Sequence, residues 1–218
     1  MSKLVAFDLD GTVADTLADL AAAVNFALEK RGLSPYPVDD YRQFVGNGAD
    51  NLMRTVLKDH ATDDAVREMK EDFSLYYADH CLDATAAYPG LSEVLGRLAD
   101  AGVMTAVISN KPHRFVPMIL NKLYPGHRFT LMWGQQPQYP RKPAPDALLA
   151  AMEQCGVSAD KTLYVGDSNV DVAFAHSAGV KVCGVSWGFR GRGELTAAGA
   201  DFIADTPNEL MRIIHEQA

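Results

Sequence analysis

Asp8 and Asp10 stand two residues apart in Asp8-Leu9-Asp10-Gly11-Thr12, directly after the apolar run Leu4 to Phe7. At a strand end this spacing puts both carboxylates on one side, and Gly11 supplies the backbone freedom for a sharp turn. A second acidic segment, Gly166-Asp167-Ser168-Asn169-Val170-Asp171, follows another apolar run. Taken singly, the first segment is an ordinary turn and Asp171 an acid in the first turn of a helix, favoured by the dipole. Two acidic clusters in one crevice repel, however, unless a cation or a catalytic need holds them there. Asp8, Asp10 and Asp167 make a hard oxygen set that suits Mg2+, which takes few protein carboxylates and keeps positions for water and phosphate oxygens.

Two further segments carry groups of complementary character. Ser109-Asn110-Lys111-Pro112 offers a hydroxyl and, with Pro112 in a first helical turn, free backbone N–H groups for an anion. Lys142, between Arg141 and Pro143, adds an ammonium ahead of a helix expected near Pro145-Asp146. Alone, Ser109 reads as a helix N-cap and Lys142 as an exposed loop lysine. Carboxylates, hydroxyl and ammonium in this order along one chain are far more specific than any member.

The elements that must position these groups alternate in type. Leu4 to Phe7, Val103 to Ile108, Phe129 to Trp133, Thr162 to Val165, Val180 to Val185 and Phe202 to Ala204 are short apolar runs bounded by turn residues, and read as buried strands. Helical spacing of apolar residues separates them from Tyr88 onward: Leu91, Val94, Leu95 and Leu98; Val116, Ile119, Leu120 and Leu123; Leu148, Leu149 and Met152. The class is α/β, a doubly wound parallel sheet, and its ligand crevice lies at the carboxyl ends of the strands, where all four polar segments fall. Residues 16–86 break the alternation with three helical faces and no strand signal, built on Leu17, Leu20, Val24 and Leu28, on Leu52, Met53, Val56 and Leu57, and on Val66, Met69, Phe73 and Tyr76. They are expected to form a small all-helical cap inserted after the first strand, with residues 1–15 and 87–218 as the core. The crossings are expected near Asp15-Thr16 and Tyr88-Pro89-Gly90.

Composition narrows the partners. The chain has 218 residues, and its 20 basic and 28 acidic residues give a net charge of −8, a surface that repels nucleic acid and acidic membranes. Its longest uncharged stretches fall short of a membrane span, and no signal-peptide pattern opens it, so a cytoplasmic address is expected. Three scattered cysteines, Cys81, Cys155 and Cys183, fit neither a disulfide framework nor a metal clip. No GxxxxGK[ST] is present, and Gly46-Asn47-Gly48 is not completed to GxGxxG, which leaves a nucleotide-binding module without support.

The four segments resemble the ordered motifs of the haloacid dehalogenase superfamily, and the helical insertion resembles its cap. Leu-Val-Ala-Phe-Asp-Leu-Asp-Gly-Thr-Val-Ala-Asp-Thr, Val-Gly-Asn-Gly-Ala-Asp, Ser-Asn-Lys-Pro and Gly-Val-Ser-Trp-Gly-Phe are most similar to phosphoglycolate phosphatases. Asp10 separates the chain from true dehalogenases, whose first motif lacks the second aspartate. The resemblance implies hydrolysis of a small phosphorylated organic acid, foremost 2-phosphoglycolate, by a monomer or homodimer. Asp8 would be the nucleophile and Asp10 the acid and base. Mg2+ would be held by Asp8, Asp167 and the Asp10 main-chain carbonyl, and phosphate by Thr12, Ser109, Asn110 and Lys142, with Asp171 orienting Lys142 or a metal-bound water. Gly46, Asn47 and Lys111 are expected to govern substrate choice. Arg54 stands one place out of register with the family's usual cap arginine, Arg190 and Arg192 read as solvated loop charges, and His113, His176 and the cap aromatics as packing or surface residues. Pyrophosphate hydrolysis and sugar-phosphate hydrolysis or mutase activity are the alternatives within the superfamily. A phospho-accepting signalling module is the alternative outside it, disfavoured by the insertion and by Asp10.

Overall fold

A computed structural model of the protein describes residues 3–217. In chain order its elements are β1 (Leu4–Phe7), β2 (Ala14–Asp15), α1 (Leu17–Glu29), α2 (Tyr41–Phe44), α3 (Ala49–Leu57), α4 (Asp63–His80), β3 (Ala86–Ala87), α5 (Leu91–Asp100), β4 (Met104–Pro112), α6 (Phe115–Leu123), β5 (Leu131–Gln135), α7 (Asp146–Cys155), β6 (Thr162–Gly166), α8 (Asn169–Ser177), β7 (Lys181–Val185), α9 (Gly191–Ala198), β8 (Phe202–Ala204) and α10 (Pro207–Gln217).

Six of the strands form one parallel sheet in the order β5-β4-β1-β6-β7-β8. Every residue of β1 is buried, as a central parallel strand covered on both faces requires. Alternate side chains serve different faces: Val5 and Phe7 join the core formed with α5, α6 and α10, while Leu4 and Ala6 join that of α7, α8 and α9. The chain winds outward from β1 through β4 to β5, then crosses back to β6. The switch point therefore lies at the carboxyl ends of β1, β4 and β6.

Residues between β2 and β3 hold no strand among those described; α1 packs on α4, and α3 on α4 and α2. The apolar faces read from the sequence are the buried faces of α1, with Leu17, Leu20, Val24 and Leu28 inside, and of α3, with Leu52, Met53, Val56 and Leu57 inside; in α4 Val66, Met69 and Phe73 are buried as expected, but Tyr77 completes the face and Tyr76 is only half-buried. Charge pairing adds to the packing: Asp72 of α4 accepts from Arg31 at 2.7 Å. The helical layer joins the sheet by a two-strand antiparallel ribbon in which Ala14 pairs with Ala87 and Asp15 with Ala86. Asp19 of α1 pins the returning strand, accepting from the N–H groups of Ala84 at 2.9 Å and Thr85 at 2.8 Å. The outgoing crossing thus lies at Ala14–Asp15, and the returning one at Ala86–Ala87, just before the turn Tyr88-Pro89-Gly90.

One local expectation is overturned. Pro112 does not open a helix: β4 runs through Ser109, Asn110 and Lys111 to Pro112, and α6 starts at Phe115. After a register irregularity, Pro112 pairs with Gln135 of β5, so the strand gains a partner where helix chemistry offered none. Pairing of Ala106 with Leu131 likewise starts β5 at Leu131 rather than Phe129.

Candidate active site

The backbone carries Asp8 to the sheet's edge. Its N–H donates to the Val165 carbonyl at 2.8 Å, continuing the β1–β6 pairing past the end of β1. The chain then turns at Gly11, which has φ +82°. A Cβ there would lie 2.3 Å from the Asp167 Oδ2, and one at Gly188 would lie 2.2 Å from the Asp167 Cβ. Only glycine lets these two loops close on that carboxylate. Asp167 accepts the Thr12 hydroxyl at 3.2 Å and the Phe189 N–H at 2.7 Å.

Lys142 bridges the acids. Its Nζ is 2.9 Å from Asp8 Oδ1 and 2.8 Å from Asp171 Oδ1, and it donates to the Tyr164 hydroxyl at 3.0 Å, which in turn donates to the Ile108 carbonyl. Asp171 opens α8, with its Oδ2 accepting from the N–H groups of Asp167 and Ser168 and from the Ser168 hydroxyl. The Lys142 backbone is fixed by Asn110, whose Oδ1 accepts its N–H at 2.9 Å and whose Nδ2 donates to its carbonyl at 3.2 Å. A lysine that looks like a loop lysine in sequence is thus buried and triply held.

The electrostatics are unbalanced. Asp8, Asp167 and Asp171 each present a ligand atom within 4.8 Å of the others. Asp8 Oδ1 is buried without a hydrogen bond of acceptable geometry, despite the nearby ammonium. Burial, opposed by Lys142 and reinforced by Asp171 and Asp10, pushes the Asp8 carboxyl from 3.8 to about 6. Burial, then the charges of Asp171 and Asp8, pushes Asp167 well above the carboxylate range. With all four carboxyls ionised, as ligation of a cation requires, Asp8, Asp10, Asp167 and Asp171 bring four negative charges, and Lys111 and Lys142 return two. The deficit of two is the charge of one divalent cation, and the oxygen donors are of the type Mg2+ takes.

Beside Asp8 and Asp10 lies a chamber of about 50 Å³. Core residues Ser109, Lys111 and Phe115 form one wall, and Leu20, Leu52, Phe73 and Tyr77 of the helical layer form the other. Asp10 Oδ1 accepts the Thr16 hydroxyl at 2.6 Å and the Lys111 ammonium at 2.9 Å, so Oδ2 takes no hydrogen bond from a described residue. Burial opposes the charge on Lys111, but Asp10 and then Tyr77 outweigh it and raise its pKa.

The remaining sequence candidates divide. Ser109 lines the chamber, its Oγ accepting the Lys111 N–H at 3.3 Å. Thr12 and Asn110 are close by, but their side chains are engaged, Thr12 by Asp167 and Asn110 by Lys142 and the Gly46 carbonyl. Gly46 and Gly48 line the chamber, whereas Asn47 is exposed. Arg54 pairs with Asp63 and Arg192 with Asp205, both in solvent. Arg190 is no solvated loop charge: it donates to the carbonyls of Gln43 at 3.1 Å and Val45 at 2.9 Å, tying the loop after β7 to the helical layer. Phe73 and Tyr77 are core residues and also chamber wall. His113 accepts from the Gly134 N–H, and His176 pairs with Asp201. Reading the sequence missed Tyr164, whose only signal is an aromatic inside a buried strand.

The arrangement is that of a doubly wound α/β enzyme with a carboxylate pair and a charge-deficient pocket at the switch point. The family model of the haloacid dehalogenase-like hydrolases matches residues 5–185, and the chain belongs to that family. It is 37% identical to a phosphoglycolate phosphatase of Pseudomonas putida over 97% of this chain and 79% of the relative. It is 34% identical to that of Mannheimia succiniciproducens over 97% and 98%. A solved Lactobacillus delbrueckii structure with a provisional phosphoglycolate phosphatase name superposes at a TM-score of 0.91, with 34% identity over 98% of this chain and 99% of that one. No described helix is long and apolar enough to cross a membrane.

Proposed function

We propose that the protein hydrolyses the phosphate monoester of a small organic acid, foremost 2-phosphoglycolate, through a phosphorylated Asp8, with residues 16–86 acting as a cap over the core. The observation that carries this reading is Asp8 and Asp10 together lining a small chamber, with buried lysines on both. Asp8 attacks phosphorus and the bond to the leaving alkoxide breaks, with Asp10 donating a proton to that oxygen. Asp10 then takes a proton from water as the water attacks phosphorus, releasing phosphate and restoring Asp8. Thr16 and Lys111 hold Asp10 through one oxygen and leave the other for proton transfer. Lys142 keeps Asp8 aligned against Asp171. Mg2+, held by Asp8, Asp167 and the Asp10 carbonyl, would screen the approach of a phosphate dianion to Asp8.

A chamber of about 50 Å³ favours a short organic group. Phosphate release from 2-phosphoglycolate, pyrophosphate, glucose 6-phosphate and a nucleoside monophosphate tests the choice. The kcat/KM for 2-phosphoglycolate is expected to exceed the others by at least about a hundredfold, the discrimination a built polar site achieves. Equal rates across the panel, or preference for pyrophosphate, contradict the reading.

The raised carboxyls predict how metal and pH interact. Asp8 binds its proton more tightly folded than unfolded, so without metal its contribution to stability is greatest below about pH 4 and is lost as pH rises through about 6, and Asp167 extends the loss upward. Ligation by ionised carboxylates reverses that loss. Mg2+ should therefore raise Tm more at about pH 7.5 than at about pH 5. Equal shifts at both, or none, in a preparation shown free of metal beforehand, would remove the metal from Asp8 and Asp167.

A further inference from the structure

Tyr77 does something its packing does not need. It is completely buried on α4, its ring stacked on Phe73 at 5.2 Å and set edge-on to Phe115 at 4.9 Å. Phenylalanine would pack identically. Yet the hydroxyl is buried with no hydrogen bond of good geometry among the described residues, although the Lys111 ammonium is near enough to act on it, where a buried tyrosine normally finds a full partner. The same ring lines the chamber, and the Lys111 Nζ lies 4.6 Å from its centroid. Lys111 spends one of its three N–H donors on Asp10.

From this we propose that the Tyr77 hydroxyl and the Lys111 ammonium form a two-donor site for the carboxylate of the substrate, so that an acid is read jointly by the helical layer and the core. The inference deepens the proposed function and rests on it. Both groups offer only what an anionic oxygen accepts: burial keeps the phenol protonated and Asp10 keeps the ammonium charged. The neighbouring side chains Leu20, Leu52, Phe73 and Phe115 are apolar and suit the carbon between phosphate and carboxylate rather than further hydroxyls. Because Tyr77 comes from the layer and Lys111 from β4, the pair is complete only when the two are packed together, and a substrate lacking the carboxylate leaves the phenol unpaired.

The test compares Mg2+-supplied wild type and Tyr77→Phe on 2-phosphoglycolate and on 2-hydroxyethyl phosphate, which keeps the phosphate and replaces the carboxylate with a hydroxymethyl group. The ratio of kcat/KM values, acid over alcohol, is expected to fall at least about tenfold in the variant, mainly through KM for the acid. Since the substitution removes only an unpaired hydroxyl, Tm should stay equal or rise. An unchanged ratio in the variant, with wild type still preferring the acid, overturns the role of Tyr77 and leaves the proposed function standing. A wild-type ratio near unity overturns both. A fall in Tm on losing the hydroxyl also overturns the inference, because it would mean that the group has a structural partner.

Discussion

Asp8→Asn should abolish turnover, lowering kcat by at least about ten-thousandfold, roughly 5.5 kcal/mol of barrier, because an amide of the same shape cannot form the bond to phosphorus. The substitution should not unfold the protein. Asp8 is one of three crowded acids and its own burial already favours the neutral form, so a neutral side chain relieves repulsion by Asp171 and Asp10. Lys142 keeps Asp171 and Tyr164 as partners. Measured without metal at neutral pH, Tm is therefore expected to equal or exceed that of the wild type, while Mg2+ loses much of its effect on Tm. Activity within about tenfold of wild type would remove the nucleophile from this position.

Lys142→Met should have the second largest effect and the opposite sign on stability. Its ammonium contacts Asp8, Asp171 and Tyr164, with only 3% of the side chain exposed. Methionine fills similar volume but leaves Asp8 and Asp171 facing each other uncompensated. Removing one partner of a buried ion pair costs about 3 to 5 kcal/mol, and chemical denaturation should register a loss of that order. The loss should shrink as pH falls and the carboxyls take up protons, since the repulsion it exposes needs both charges. Catalysis should drop as well, by about a thousandfold or more, because Asp8 loses its alignment and the transferred phosphoryl group loses a cation. Lys142→Arg should not restore it: a planar fork does not replace a compact ammonium seated between three acceptors and the rings of Tyr164 and Phe174. A destabilisation below about 1 kcal/mol would mean that Lys142 is far less buried or less paired than the structure has it.

What the sequence reveals follows from how local each signal is. The strands at Leu4 and Thr162 are legible because a buried parallel strand writes itself as a nearly uninterrupted apolar run. The polar segments after them are legible because the switch point gathers strand ends. Pro112 misleads because local chemistry favours a helix start, whereas its actual partner, Gln135, comes from the next strand. The exposed position of Asn47 and the commitment of Asn110 to Lys142 and Gly46 depend on how the loops meet. Arg190 gives no local sign that it will reach Gln43 and Val45, 147 and 145 positions away. Tyr77 is the hardest to read: helical periodicity points to Val66, Met69, Phe73 and Tyr76, whereas the buried face runs on to Tyr77, and that burial hides that the face also closes a chamber beside Asp10.

The central claim is a covalent bond between Asp8 and phosphorus. Rapid acid quenching during turnover of a phosphoester carrying a radiolabelled phosphoryl group, followed by peptide mapping, tests it directly. Label is expected on the peptide containing Asp8, lost on treatment with hydroxylamine and absent from Asp8→Asn. Label on another residue, or burst-free release of labelled phosphate with no protein-bound label at any quench time, would contradict it.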